Sequence, residues 1–126
     1  MARILIIDDQ EVIRMTLSET LEHDGHTITE ASDGVKGIAA FHENRAEIVI
    51  TDILMPNKEG IETIIELRNI DPNVKIIAMS GGGRTQNASL LDVAQKVGAN
   101  AVLKKPFRTQ ALRDIVNACL ESGHGQ

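Results

Sequence analysis

The sequence predicts an α/β fold: a doubly wound (βα)5 domain with a five-stranded parallel sheet in the order 2-1-3-4-5. Three observations predict it. Short apolar runs alternate with longer amphipathic segments five times along the 126 residues. Most of these runs are apolar nearly throughout, which is the pattern of parallel strands covered by helices on both faces. Four of them end on a polar residue of distinct chemistry, so that one edge of the sheet would gather those groups.

The first strand is Ile4–Ile7, running into Asp8 and Asp9. Ile13, Leu17 and Leu21 then mark one helical face at a spacing of four, and Gly25 stops that helix. Thr27–Ala31 is more polar and reads as a strand near an edge. Asp33 is the expected N-cap of a helix running to about Asn44, with Val35, Ile38, Ala39 and Phe41 as its buried stripe. Glu47–Thr51 is the third strand, and Asp52 leads into a loop holding Met55, Pro56 and Gly60. A helix from about Gly60 to Asn69 presents Ile61, Ile64, Ile65 and Leu67, and Asp71-Pro72-Asn73 is a turn by composition. Val74–Met79 is the fourth strand, ending on Ser80. Gly81–Gly83 follow, then a helix across roughly Asn87–Val97 that Gly98 ends. Ala101–Lys104 leads to Lys105-Pro106-Phe107, and Thr109 is the expected cap of a last helix reaching about Leu120. Residues 1–121 form one domain, with 122–126 a fraying tail; no repeat or linker interrupts them.

Composition narrows the function. A content of 42% hydrophobic and 25% charged residues is that of a globular domain with a real core. The net charge of −5 argues against nucleic acid or an anionic membrane surface as partner. Two phenylalanines, with no Trp or Tyr, leave no base-stacking surface. No apolar stretch approaches the roughly 18 residues of a spanning helix. The strand-like, acid-flanked N-terminus is unlike a secretory signal, and the single Cys119 excludes an internal disulfide. The expected location is the cytoplasm.

The strand ends carry the chemistry. Asp8-Asp9 alone fits an ordinary helix N-terminus, where carboxylates favour the dipole. Asp52 weakens that reading, because in the order 2-1-3-4-5 the topological switch point lies between strands one and three, where all three acids meet. Clustered carboxylates call for a cation, and Mg2+, with its preference for oxygen ligands and phosphate, suits them. The spacing matches no calcium loop. Zinc fits poorly, since His23, His26, His42 and His124 follow none of these strands and read as solvent-facing. Ser80 and Lys105 are each commonplace alone; together they supply a hydroxyl donor and a mobile cation for phosphoryl oxygens. Asp52, between them and the metal, is the expected nucleophile, forming an acyl phosphate. Gly81–Gly83 lack the G-x-x-x-x-G-K-[ST] pattern of a nucleotide loop and read as a hinge.

These residues resemble the receiver domain of bacterial two-component response regulators, of the stand-alone, chemotaxis-regulator type, with a flavodoxin-like fold. The resemblance spans Ile4 to about Leu120 and rests on Asp8-Asp9, Thr51-Asp52 with Met55-Pro56 and Gly60, Ser80, and Lys105-Pro106-Phe107. It implies Asp52 as phosphoacceptor, and Asp9 and Asp52 as direct Mg2+ ligands with the Leu54 carbonyl, Asp8 acting mostly through water. It further implies Ser80 as switch hydroxyl, Lys105 as phosphate-binding lysine, and a cis Lys105–Pro106 peptide. The implied partners are a sensor histidine kinase or histidine phosphotransfer protein and a downstream protein target, with the chain a monomer or weak dimer. The implied role is a phosphoacceptor rather than an enzyme in its own right, and the initiating Met1 suggests a whole protein.

Three features depart from the family pattern. Val102 stands where an aromatic residue often reports phosphorylation. The Gly-rich segment after Ser80 is longer than usual, so ordering of Gly81–Asn87 is the expected substitute signal. Leu54 and Gly82 offer no side-chain hydrogen bond to an attacking water, which predicts slow autodephosphorylation. The switching region would include Leu90, Leu91, Val93, Val97 and Val102. A Mg2+-dependent phosphatase with an aspartyl nucleophile is the enzymatic rival; it needs an acid at the position of Leu54. A flavin-binding module is disfavoured by Asp8-Asp9, which would repel the flavin phosphate. An unphosphorylated adaptor is disfavoured by the full set of site residues.

Overall fold

The computed structural model describes residues 1–53, 60–80 and 92–124. Five parallel strands, β1 (Arg3–Ile7), β2 (Thr27–Ala31), β3 (Ile48–Asp52), β4 (Lys75–Ser80) and β5 (Ala101–Lys104), lie in the order β2-β1-β3-β4-β5. The helices are α1 (Glu11–His23), α2 (Gly34–Glu43), α3 (Gly60–Ile70), α4 (described over 92–97) and α5 (Thr109–His124).

Period-two alternation along the strands builds two cores. Leu5, Ile7 and Val49 point to one face, where Phe41 of α2, Ile64 and Leu67 of α3 and Ala94 of α4 cover them. Ile4, Ile6, Ile48 and Ile50 point to the other, under Leu17 and Leu21 of α1 and Leu112 and Val116 of α5. β2 lies at one edge and is largely exposed, which is why it reads as the polar strand.

The local signals act as expected at most element ends. Asp33 caps α2, its Oδ1 accepting from Lys36 N at 2.8 Å. Gly25, at φ +97°, closes α1 while Gly25 N–H donates to Glu22 O and His26 N–H to Leu21 O, the paired bonds of a Schellman end. Gly98, at φ +135°, closes α4 in the same way onto Gln95 and Ala94. The Asp71 carboxylate accepts from Asn73 N at 2.9 Å, making the turn before β4.

Some details differ. In α2 the buried positions are Gly34, Gly37, Ile38 and Phe41, while Val35 and Ala39 are exposed. The set 34/37/38/41 is the i, i+3, i+4, i+7 stripe, and the predicted stripe is rotated from it by about one residue. Ile64 and Leu67 of α3 are buried and Ile61 partly so, but Ile65 is exposed. α5 continues past Leu120 to His124; Thr109 lies inside its first turn, with the Arg108 carbonyl accepting from Leu112 N at 3.2 Å. His26 is not solvent-facing: it is partly buried and its Nδ1 accepts from Ala2 N at 3.0 Å. Burial, followed by the N-terminal ammonium, lowers its pKa against the opposing pull of Asp24 and Glu47.

Candidate functional site at the carboxyl edge of the sheet

Strand register brings the polar ends together. Ile7 pairs with Thr51, Asp52 with Met79, and Ser80 with Lys104, so the residues that follow these pairs emerge side by side. Two further backbone bonds extend the pairing past the strands: Ile53 N–H donates to Met79 O at 3.0 Å, and Lys105 N–H to Ser80 O at 2.7 Å. The Lys105–Pro106 peptide is cis, as expected.

Asp8 and Asp52 are buried and Asp9 is exposed; one carboxylate oxygen from each lies within 4.8 Å of the others. Lys105 bridges the buried pair, its Nζ 2.8 Å from Asp8 Oδ2 and 3.3 Å from Asp52 Oδ2. Burial alone would push the Lys105 ammonium down. The hydrogen bond to Asp8 and the charges of Asp52 and Asp8 outweigh it and hold the pKa above the usual lysine range. The lysine thus stays charged and offsets the repulsion between two buried acids.

Asp8 is held on every side. Its N–H donates to Ala31 O of β2 at 3.1 Å, and its Oδ1 accepts from Gln10 N at 2.8 Å. Its carbonyl accepts from Arg14 Nη1 of α1 at 2.7 Å. Sequence reading passed over Arg14; the usable signal was its place in the first turns of the helix that follows the acidic pair. Side chains on a helix lean toward its N-terminus, so a long one there reaches back to the strand end.

Ser80 is 1% exposed, and among the described residues its Oγ has no hydrogen-bond partner. A buried hydroxyl without a partner costs free energy. This one sits at the end of β4, next to the strand that leads into Lys105, and an incoming oxygen acceptor at this edge would satisfy it.

The donor set fits Mg2+. All three groups are carboxylates, hard oxygen donors, and among the described residues no histidine or cysteine joins them. Gly60 brings α3 against this edge; a Cβ there would collide with the Ile53 Cα and the Asp52 carbonyl oxygen. Val102 is partly buried and pairs with Ala78, packing against the core under α2 to α4. Val93 is exposed and Val97 partly buried. Leu54, Met55, Pro56, Gly81–Asn87, Leu90 and Leu91 lie outside the described residues. Among the described residues no helix is long and apolar enough to cross a membrane.

Known proteins resemble this chain along nearly its whole length. The family model of the response regulator receiver domain matches residues 4–117. The chain is 36% identical over 116 residues to chemotaxis protein CheY of Thermotoga maritima, covering 91% of this chain and 94% of that protein. It is 30% identical over 118 residues to sporulation initiation phosphotransferase F of Bacillus subtilis, covering 94% and 93%. A crystal structure of a response regulator receiver domain protein from Clostridium thermocellum, 35% identical, matches 97% of this chain and 96% of that one with a TM-score of 0.86.

Proposed function

The chain belongs to the response regulator receiver domain family of two-component signalling, in which phosphorylation of an aspartate is the working mechanism, and we propose that its phosphoacceptor is Asp52. The observation that carries this assignment is the Lys105 ammonium, which holds the Asp52 and Asp8 carboxylates at the sheet edge where β4 ends on Ser80, whose buried hydroxyl has no partner among the described residues.

One carboxylate oxygen of Asp52 attacks the phosphorus of a phosphohistidine. The O–P bond forms as the P–N bond breaks, and the electron pair of that bond returns to the imidazole nitrogen. Lys105 then exchanges part of its contact with Asp52 for a phosphoryl oxygen, and Ser80 Oγ donates to another. Asp8, Asp9 and Asp52 would hold a Mg2+, with the Leu54 carbonyl as the further ligand the family resemblance implies, and that ion would supply positive charge to neutralise the phosphoryl oxygens. The phosphatase alternative is not favoured by the family assignment.

Response regulators interact with sensor kinases and downstream targets. For this chain the donor would be a sensor histidine kinase or a histidine phosphotransfer protein, and the output a contact with a protein target, in the cytoplasm. Nucleic acid and membrane are not proposed as partners, and the working unit is a monomer or weak dimer. Incubation with acetyl phosphate and Mg2+, followed by intact mass, tests the reading. The expected result is one added phosphoryl group that vanishes in Asp52→Asn and without Mg2+; an adduct that persists in Asp52→Asn overturns it.

A further inference from the structure

Among the described residues Arg14 touches none of the groups that would bind metal or phosphate, yet it is tied to both sides of the site's acidic edge. Its Nη1 donates to the Asp8 carbonyl at 2.7 Å, and its Nε lies 3.3 Å from Glu30 Oε1 on β2. The other Glu30 oxygen accepts from the hydroxyl of Ser18, one turn further along α1, at 2.8 Å. Ser18 is buried, and the Arg14 side chain is only 17% exposed. Two residues on one face of α1 therefore fix Glu30, and Glu30 fixes the guanidinium that grips the carbonyl of Asp8.

That carbonyl belongs to the peptide joining Asp8 to Asp9. Its plane sets the direction in which the Asp9 side chain leaves the backbone relative to Asp8. Asp8 has its own restraints, from Ala31, Gln10 and Lys105. Asp9 is exposed, and the Asp8–Asp9 peptide is its upstream connection to the sheet. Outer partners that orient ligands are worth about 10–100-fold in metal affinity where they have been removed in other proteins.

We propose that Arg14 is a positioning residue for the divalent-cation site, orienting the Asp8–Asp9 peptide so that Asp9 meets Asp8 and Asp52 around the ion, with Ser18 and Glu30 as its buttress. The proposal rests on the metal-site reading above. A guanidinium suits this task because it donates from separate nitrogens to the carbonyl and the carboxylate at a fixed angle. A lysine would keep the charge and could still donate to the Asp8 carbonyl from its single nitrogen.

The test is calorimetric titration of the full chain with Mg2+, well below the unfolding temperature of each protein, alongside thermal unfolding without the ion. Arg14→Met is expected to bind Mg2+ about tenfold more weakly than the natural chain, Arg14→Lys to recover most of that loss, and Glu30→Gln to show a smaller loss of the same sign. A merely structural contact would lower the unfolding temperature and leave the affinity unmoved; a folded Arg14→Met variant binding within about twofold of the natural chain overturns the proposal. So does an Arg14→Lys variant as weak as Arg14→Met. Should Arg14→Met fail to fold, Glu30→Gln decides by the same affinity criterion. A natural chain that takes up no Mg2+ overturns the metal-site reading and this inference with it, whereas equal affinities overturn this inference alone.

Discussion

Lys105→Met removes a charge from the centre of the site while keeping much of the side chain's volume. In the natural chain the ammonium lies 2.8 Å from Asp8 and 3.3 Å from Asp52, and its side chain is 12% exposed. The Asp8 and Asp52 oxygens lie within 4.8 Å of each other, and at an effective dielectric of about 20 that pair repels by about 3.5 kcal/mol. Removing one partner of a buried pair typically costs about 3–5 kcal/mol. The expected loss is near the lower bound, about 3 kcal/mol, because the site opens to water at Asp9. For a domain of this size that lowers the unfolding temperature by roughly 10 °C. The assay is thermal unfolding in a chelated buffer and again with Mg2+. The variant should gain more from the ion than the natural chain does, since the ion then supplies the missing positive charge. A variant within about 1 kcal/mol of the natural chain without Mg2+, or equal gains from Mg2+ in both proteins, would refute the reasoning.

Arg68 of α3 donates from Nη1 to the carbonyls of Pro72 and Val74, and from Nη2 to the Gly98 carbonyl and Asn100 Oδ1. Arg68→Ala should cost about 2 kcal/mol in denaturant unfolding, and Arg68→Lys should recover less than half of it. Gly60→Ala should lower stability by about 2 kcal/mol, because its Cβ meets backbone that cannot step aside, and should slow phosphoryl uptake by displacing Asp52; an unchanged uptake rate would separate Gly60 from the site. The depressed pKa of His26 stabilises the fold fully above the unfolded histidine value of about 6.5, and that contribution is lost as pH falls through the lower folded value. Unfolding temperature should therefore decline below about pH 6.5 with a slope that flattens in His26→Gln. Autodephosphorylation should be slow, as Leu54 and Gly82 imply; a phosphoryl lifetime of seconds in the purified chain would contradict that.

The sheet order and the convergence of the four polar strand ends were legible because each is written in contiguous residues: an apolar run, then a distinctive polar group. The caps at Asp33, Gly25 and Gly98 are local for the same reason. The phase of α2 was harder. Val35 and Ala39 are apolar but exposed, and only the packing of Gly37 against Ile7 reveals which stripe faces the sheet. The long-range side chains that brace the site and the opposite edge of the sheet were illegible for a different reason. Arg14 with Glu30, Arg68 with Asn100, and His26 with Ala2 are long-range pairs, and Arg, Glu and His on helix or loop positions read by default as solvated surface. Several of their partners are backbone groups that every sequence supplies, the Asp8, Pro72, Val74 and Gly98 carbonyls and the Ala2 amide among them.

The central claim is that Asp52 becomes an acyl phosphate. Such a group is reduced by borohydride to an alcohol, which converts the aspartate to homoserine at its own position. After incubation with acetyl phosphate and Mg2+, reduction and peptide sequencing by mass spectrometry should find homoserine at position 52 and leave Asp8 and Asp9 intact. Homoserine at position 8 or 9, or none at 52 in a chain that has gained a phosphoryl group, would contradict the account.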